Sequence, residues 1–290
     1  MPLDSESNKR VAMKRIAVLM TCFNRVDTTL KCLRRLFTQE VPEGYSIDVW
    51  LVDDASPDKT GDKVKAAYPQ VNVVHGTGGL FWCKGMRLAW DKAAEAYDYD
   101  FYLWLNDDVM FVNEGVLSSI ISDANNIEGN ENSQYVLVGT CASDDSLREL
   151  VYGCYGKDVL RPNGAPQLAG DKCSMSGNIV LVPKSVFKDV GPIYDRYSHA
   201  CGDSDYRQMM LKKHIKLFCS SIVCGVCPKQ PERYMGCRGN GLIKRVRSLF
   251  SPKGASLHDT FIYRYRHWGI LRACVSVCHV VFRVVFTDWR

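Results

Sequence analysis

Short apolar runs alternate with longer amphipathic stretches through the first half of this chain. Ile16-Ala17-Val18-Leu19-Met20, Asp48-Val49-Trp50-Leu51-Val52, Val71-Asn72-Val73-Val74 and Phe101-Tyr102-Leu103-Trp104-Leu105 read as strands. The last is apolar and aromatic throughout, the signature of a strand buried on both faces. Between them, Thr28 to Thr38 (with Asp27 as its cap), Lys59 to Tyr68, Lys84 to Ala96 and Gly115 to Asn126 read as helices. A glycine loop, Gly76-Thr77-Gly78-Gly79, leads into the third of these. Such alternation predicts an α/β fold: a Rossmann-like, mostly parallel sheet with helices on both faces.

Beyond Val136 to Gly139, another strand, the pattern loosens. Residues 140 to 175 are rich in Gly, Asp, Pro and Asn and read as a long irregular segment, of a kind that is more often functional than idle. Ile179 to Val182 reads as a strand, Asp205 to His214 as a helix and Ile215 to Cys219 as a strand. No repeat interrupts the series. The expected organisation is a disordered lead-in over 1–14, a catalytic unit over 15–228 and a basic C-terminal region over 229–290.

At 290 residues, 46% apolar and 24% charged, the chain has an ordinary globular composition and can bury a sizeable core. Ile16 to Met20 is too short for the apolar region of a secretory signal. Thirteen scattered cysteines without such a signal imply reduced thiols in the cytoplasm. Cys224-Gly225-Val226-Cys227 is a lone C-x-x-C without the second pair of a zinc site, and it reads as structural. Net charge is +5, unevenly spread: 233–290 carries eleven Lys and Arg against two acids, +9, and 1–232 carries 26 against 30, −4.

Two acidic clusters carry the candidate chemistry. Asn106-Asp107-Asp108 follows the aromatic strand, at the edge where open α/β sheets bind ligands. Paired acids there suit a divalent cation with positions open for phosphate oxygens, although adjacent acids also open turns and helices. Gly202-Asp203-Ser204-Asp205 offers a general base. Thr21-Cys22-Phe23-Asn24-Arg25 and Asp53-Asp54-Ala55-Ser56 leave the first two strands, and a carboxylate at such a strand end can accept from a uracil or thymine imide. Neither is a P-loop or a G-x-G-x-x-G turn, which disfavours ordinary ATP and NAD sites. Trp82 either stacks on a sugar or packs in the core.

These stretches, with Gly78-Gly79-Leu80-Phe81-Trp82, Gly85, Ser176-Gly177-Asn178 and Tyr206-Arg207, resemble the inverting glycosyltransferases of family 2, with the GT-A fold. The likeness covers about residues 15 to 225. Within the family, "LNDDV" and "GDSDY" resemble rhamnosyltransferases and related enzymes of bacterial surface polysaccharide synthesis. The resemblance implies that Asp53 or Asp54 contacts the nucleotide base and that Asp108 ligates Mg²⁺ or Mn²⁺, with Asp107 supporting ribose or metal. Thr21, Asn24, Arg25, Gly79 and Lys84 join the nucleotide-sugar set by the same likeness, and Trp82 and Asn178 the acceptor set. Asp203 matches the base. Gly202 stands where Glu is common, which leaves a share of that role open to Asp205. Asn106 replaces the first Asp of the metal motif, which implies weaker metal binding. His258, after Ser251-Pro252-Lys253-Gly254, is either a further metal ligand or a packed or exposed histidine.

In the tail, Arg272, Ser276, His279, Arg283 and Arg290 form one basic stripe on an otherwise apolar helix. That pattern fits an interfacial helix on an anionic leaflet better than a membrane span. A packed C-terminal helix or a homodimer contact is the alternative. The expectation is therefore a metal-dependent inverting transferase, peripheral on the inner face of the cell membrane. It would move a sugar from a UDP- or dTDP-sugar to a lipid-linked glycan, with no nucleic acid partner. The rivals are a sugar-1-phosphate nucleotidyltransferase, which needs a glycine-rich basic loop that Thr21–Arg25 lacks, and a non-catalytic polyanion-binding scaffold.

Overall fold

A computed structural model of the chain describes residues 13–229 and 241–286. Most of the expected lead-in, and Arg233, Arg238 and Arg290 of the tail, lie outside those residues. In chain order the elements are β1 (Lys14–Cys22), α1 (Val26–Phe37), β2 (Tyr45–Asp53), α2 (Thr60–Ala67), β3 (Asn72–His75), α3 (Phe81–Ala96) and β4 (Phe101–Leu105). There follow β5 (Met110–Phe111), α4 (Val116–Asn130), β6 (Tyr135–Ala142), β7 (Leu150–Tyr152), β8 (Cys154–Tyr155), β9 (Gln167–Ala169) and β10 (Ser174–Met175). The last are β11 (Ile179–Pro183), α5 (Lys184–Val190), α6 (Gly202–Lys212), β12 (Lys216–Val226), α7 (Leu242–Ser248) and α8 (Leu257–Phe286).

The main sheet runs β3-β2-β1-β4-β11-β6-β12-β5, with β7 on β6 and β9 on β12. β1 is parallel to β2 and β4, β2 to β3, and β6 to β12, while β11 is antiparallel to both neighbours. Side chains alternate across this sheet because strand residues have period two. Ile16, Val18 and Met20 face a core with Leu33 and Leu36 of α1 and Ile120 of α4. Ala17 and Leu19 face another with Met86 and Trp90 of α3 and Met210 of α6. Both faces are thus covered, as an α/β sheet requires.

Several boundaries differ from the sequence reading. Lys14, expected in the lead-in, already pairs with Tyr45 in β1. α1 opens at Val26, so Asp27 lies in its first turn and is not its cap. α3 starts at Phe81 because Asp54, from the end of β2, accepts the N–H groups of Leu80 and Phe81 at 2.8 and 3.2 Å. A cap supplied from another strand leaves no local signature. The segment 140–175 is not wholly irregular: it carries β7 to β10, each two or three residues long.

α8 is not one straight rod. Gly269 has φ 81° and ψ 178°, which breaks it. Ile262 and Tyr263 of its first half pack on the face that holds α3 and α6. Val284 of its second half packs with Leu249 and Ala255.

Candidate active site

The C-terminal edge of β1 and β4 opens into a cavity of about 330 Å³. Of the residues singled out from the sequence, Thr21, Arg25, Asp54, Trp82, Asp107, Asp108 and Asn178 line it. Thr21 leaves no room for a side chain on α3: a Cβ on Gly85 would stand 2.2 Å from its Oγ1. Arg25 spans the acid pair, with Nη1 donating to Asp107 Oδ1 at 2.9 Å and Asp108 Oδ2 at 3.0 Å. Asp107 also accepts from Thr29 Oγ1 at 3.1 Å. Burial drives the Asp107 carboxyl up to about 7; the Arg25 charge opposes that rise and the Asp108 charge adds to it.

Asp53 and Asp54 part company, since neighbours at a strand end point to opposite sides. Asp53 is buried among Ser56 N and Gly61 N, at 3.1 and 2.9 Å, and does not line the cavity. Its carboxylate orders the start of α2, which corrects its assignment to the base. Asp54 accepts from Gly78 N at 2.7 Å as well as from Leu80 and Phe81. A carboxylate has about four acceptor sites, so one on Oδ1 is left for an incoming N–H. Asn24, Gly79 and Lys84 are not among the lining residues. Asn24, at φ 53°, donates its backbone N–H to Ser56 Oγ at 2.9 Å.

The two acids of the second motif have different surroundings. Asp205 is 3% exposed and accepts from Tyr197 Oη at 2.9 Å and pairs with His267 Nε2 at 2.6 Å and Arg266 Nε at 3.0 Å. Buried and tied through Oδ1 to Tyr197 and to α8, and away from the cavity lining, it is poorly placed to serve as the base, which corrects that alternative. Asp203 stands in the first turn of α6, where the helix N-terminus favours a carboxylate. Burial raises its proton affinity, and the N–H groups of Ser204 and Gly177 hold it down. Neither acid lines the cavity itself; Gly202, the residue before Asp203, and Gly177 lie against Trp82, which does.

Asn106, the departure from the metal motif, accepts the indole N–H of Trp82 at 2.7 Å. An amide makes that bond without adding a third negative charge beside Asp107 and Asp108. The sequence reading missed Phe23, His199, Cys227 and Lys253, all of which line the cavity. Cys227 donates to Asp108 Oδ1 at 3.6 Å and accepts from Asn178 Nδ2 at 3.5 Å, so half of the C-x-x-C belongs to the site. Burial and the Asp108 charge push its thiol up. His199 is driven down to about 4 by burial and the Lys253 charge, and its buried Nδ1 lacks a hydrogen-bond partner. Lys253 brings the C-terminal region to the cavity. His258, by contrast, pairs with Asp259 at 2.9 Å and is not a lining residue. Asp259 is fully buried and gathers the N–H groups of Ser198, His199 and Ala200 within 3.3 Å.

Residues 17–129 match the family model described as glycosyl transferase family 2. No curated protein sequence matches the chain. Among solved structures, S. aureus TarS 1-349 in complex with UDP-GlcNAc aligns with TM-score 0.55 and 14% identity, over 95% of this chain and 74% of that one. The mannosyltransferase PcManGT from Pyrobaculum calidifontis, in complex with GDP-Man and Mn²⁺, aligns with TM-score 0.53 and 13% identity, over 92% and 75%. Against TarS 1-349 with UDP the values are 0.54 and 15%, over 75% of this chain and 61% of that one. In the longer TarS structure the chain spans only 37% of the length. At such identities the likeness is one of fold, and it agrees with the sheet described above. The segment that matches glycosyl transferase family 2 holds Asp54, Trp82 and the Asp107–Asp108 pair, and the chain has the GT-A fold.

Proposed function

We propose that the chain is a metal-dependent inverting glycosyltransferase that moves a sugar from a UDP- or dTDP-sugar to a hydroxyl of a lipid-linked glycan. Surface polysaccharide synthesis at the inner face of the cell membrane is the setting that suits it. The observation that carries the reading is one cavity lined by Asp54, the Asp107–Asp108 pair, Lys253 and Trp82, whose ring abuts Gly202, the residue before Asp203.

Mg²⁺ or Mn²⁺ is the cofactor the family implies, and the residues present fit it. Asp107 and Asp108 are hard oxygen donors, and the neutral imidazole of His199, with its partnerless Nδ1, lines the same cavity. Among the described residues no three such donors are gathered closely. The acid pair, with phosphate oxygens of the donor, would therefore hold the ion. When bound, a divalent cation neutralises charge on the departing diphosphate.

The chain's own residues supply the remainder. Phe23, 47% exposed at the cavity, offers a ring for the base, and the open acceptor site on Asp54 suits an imide N–H. Lys253 and Arg25 bring positive charge to the diphosphate. Asp203 takes the proton of the acceptor hydroxyl as its oxygen bonds to the anomeric carbon. The bond from that carbon to the diphosphate oxygen breaks, and its electron pair leaves with the diphosphate.

A thermal-shift panel of nucleotide sugars with and without Mn²⁺ tests the reading. A ligand at a hundred times its Kd adds about 2.7 kcal/mol to stability. Stabilisation by a UDP- or dTDP-sugar that needs Mn²⁺ and vanishes in Asp108→Ala is expected; metal-independent stabilisation in both proteins contradicts it.

A further inference from the structure

Trp82 ties the two acidic motifs together. Its indole N–H sits on Asn106, next to the acid pair, at 2.7 Å. Its opposite edge lies against Gly177 and Gly202: a Cβ on Gly177 would stand 2.6 Å from Cη2 and Cζ2, and one on Gly202 3.1 Å from Cζ3. Gly202 directly precedes Asp203. Glycine at both positions is therefore the space that the indole fills. Glu, common in the family before the base, would collide with Trp82 and with Cys83 Sγ, which stands 2.7 Å from the same Cβ position.

The ring is held on the sides away from the cavity. It meets the fully buried Trp104 edge-on, with centroids 5.9 Å apart. On its N-terminal side Phe81, at φ 54°, has its N–H on Asp54. On its C-terminal side Cys83 donates its N–H to Ser198 O at 3.1 Å. A side chain so fixed is a wall and not a lid.

We infer that Trp82 sizes the donor-sugar subsite, as a rigid strut that spans the gap from Asn106 to Gly202. The inference rests on the donor reading above and deepens it. With diphosphate held at Asp107 and Asp108 and the proton taken at Asp203, the transferred sugar must lie along the strut that joins them. Asn106 uses the one polar group of the indole, so the wall offers the sugar only carbon. A hexose face of C–H groups packs there; a bulky polar substituent such as N-acetyl does not.

The test measures binding of UDP and dTDP, each free and as its glucose and N-acetylglucosamine conjugates, by titration calorimetry in Mn²⁺. Wild-type protein should bind a glucose conjugate more tightly than the N-acetylglucosamine one. In Trp82→Ala that ratio should narrow by about tenfold or more, the scale at which pocket shape discriminates. Binding of the free nucleotide should stay within about twofold, since the strut lies past the diphosphate. Asn106→Ala, which frees the indole, should narrow the ratio in the same direction, and Trp82→Phe, which keeps the packing, should do so by less. Equal losses for free and conjugated nucleotide, or an unchanged ratio in Trp82→Phe and Asn106→Ala, overturn the inference while leaving the donor reading intact. No binding of any of these compounds by wild-type protein overturns both.

Discussion

His267 Nε2 lies 2.6 Å from Asp205 Oδ1, which binds the tail to the helix that carries Asp203. Asp259 makes a second tie to the loop before that helix through three backbone N–H groups. The first half of α8 is thus a structural part of the site, although its sequence belongs to the basic tail. Asp205→Ala should cost about 3–5 kcal/mol, because removing one partner of a buried pair leaves the other uncompensated. Calorimetric melting would show it as a large drop. Asp203→Asn should melt close to wild type.

Asp107 sets a pH dependence. Its carboxyl is raised from the ordinary 3.8 to about 7, first by burial, so folding favours its protonated form. The contribution to stability is full below about pH 4, falls as pH rises through about 7 and is constant above that. A cation must displace the same proton. Mn²⁺-dependent nucleotide binding, followed by titration from pH 6 to 8, should strengthen as pH rises; affinity flat across that window would count against Asp107 as a donor.

Much of this was legible from residue order. The continuous apolar run Phe101 to Leu105 read as a strand buried on both faces, and the acids after it marked the ligand edge. Adjacent acids were harder to separate: only the sheet shows that Asp54 faces the cavity and Asp53 does not. Asp203 and Asp205 differ in the same way, since their surroundings depend on where α8 docks. His199, Cys227 and Lys253 reach the cavity from elements far along the chain, and no local spacing announces them. Trp82 could be read as packing or as binding because it does both: it packs on Trp104 and lines the cavity.

The second half of α8 gives a surface prediction. Leu271, Val275, Phe282 and Phe286 are 55–80% exposed, beside the stripe of Arg272 and His279. By length and composition α8 is apolar enough to pass for a membrane span, but Arg272, His279 and Arg283 interrupt its apolar half after Gly269. Docking on an anionic leaflet fits better. Basic residues contribute about 1 kcal/mol each near such a surface, and salt screens them. Sedimentation with anionic vesicles should weaken as salt rises, and further in the double variant Arg272→Glu, Arg283→Glu. Equal binding to neutral and anionic vesicles would remove the electrostatic part of this reading.

The central claim is that Asp203 takes the acceptor's proton while Asp107 and Asp108 serve the diphosphate end. Its most direct test is the rate of nucleoside diphosphate release from a bound nucleotide sugar in Mn²⁺ with acceptor present, for wild type and Asp203→Asn. The account predicts a rate lower by about a hundredfold or more in Asp203→Asn, with donor Kd unchanged, since the amide keeps the shape but cannot accept a proton. Turnover by Asp203→Asn at the wild-type rate would contradict it.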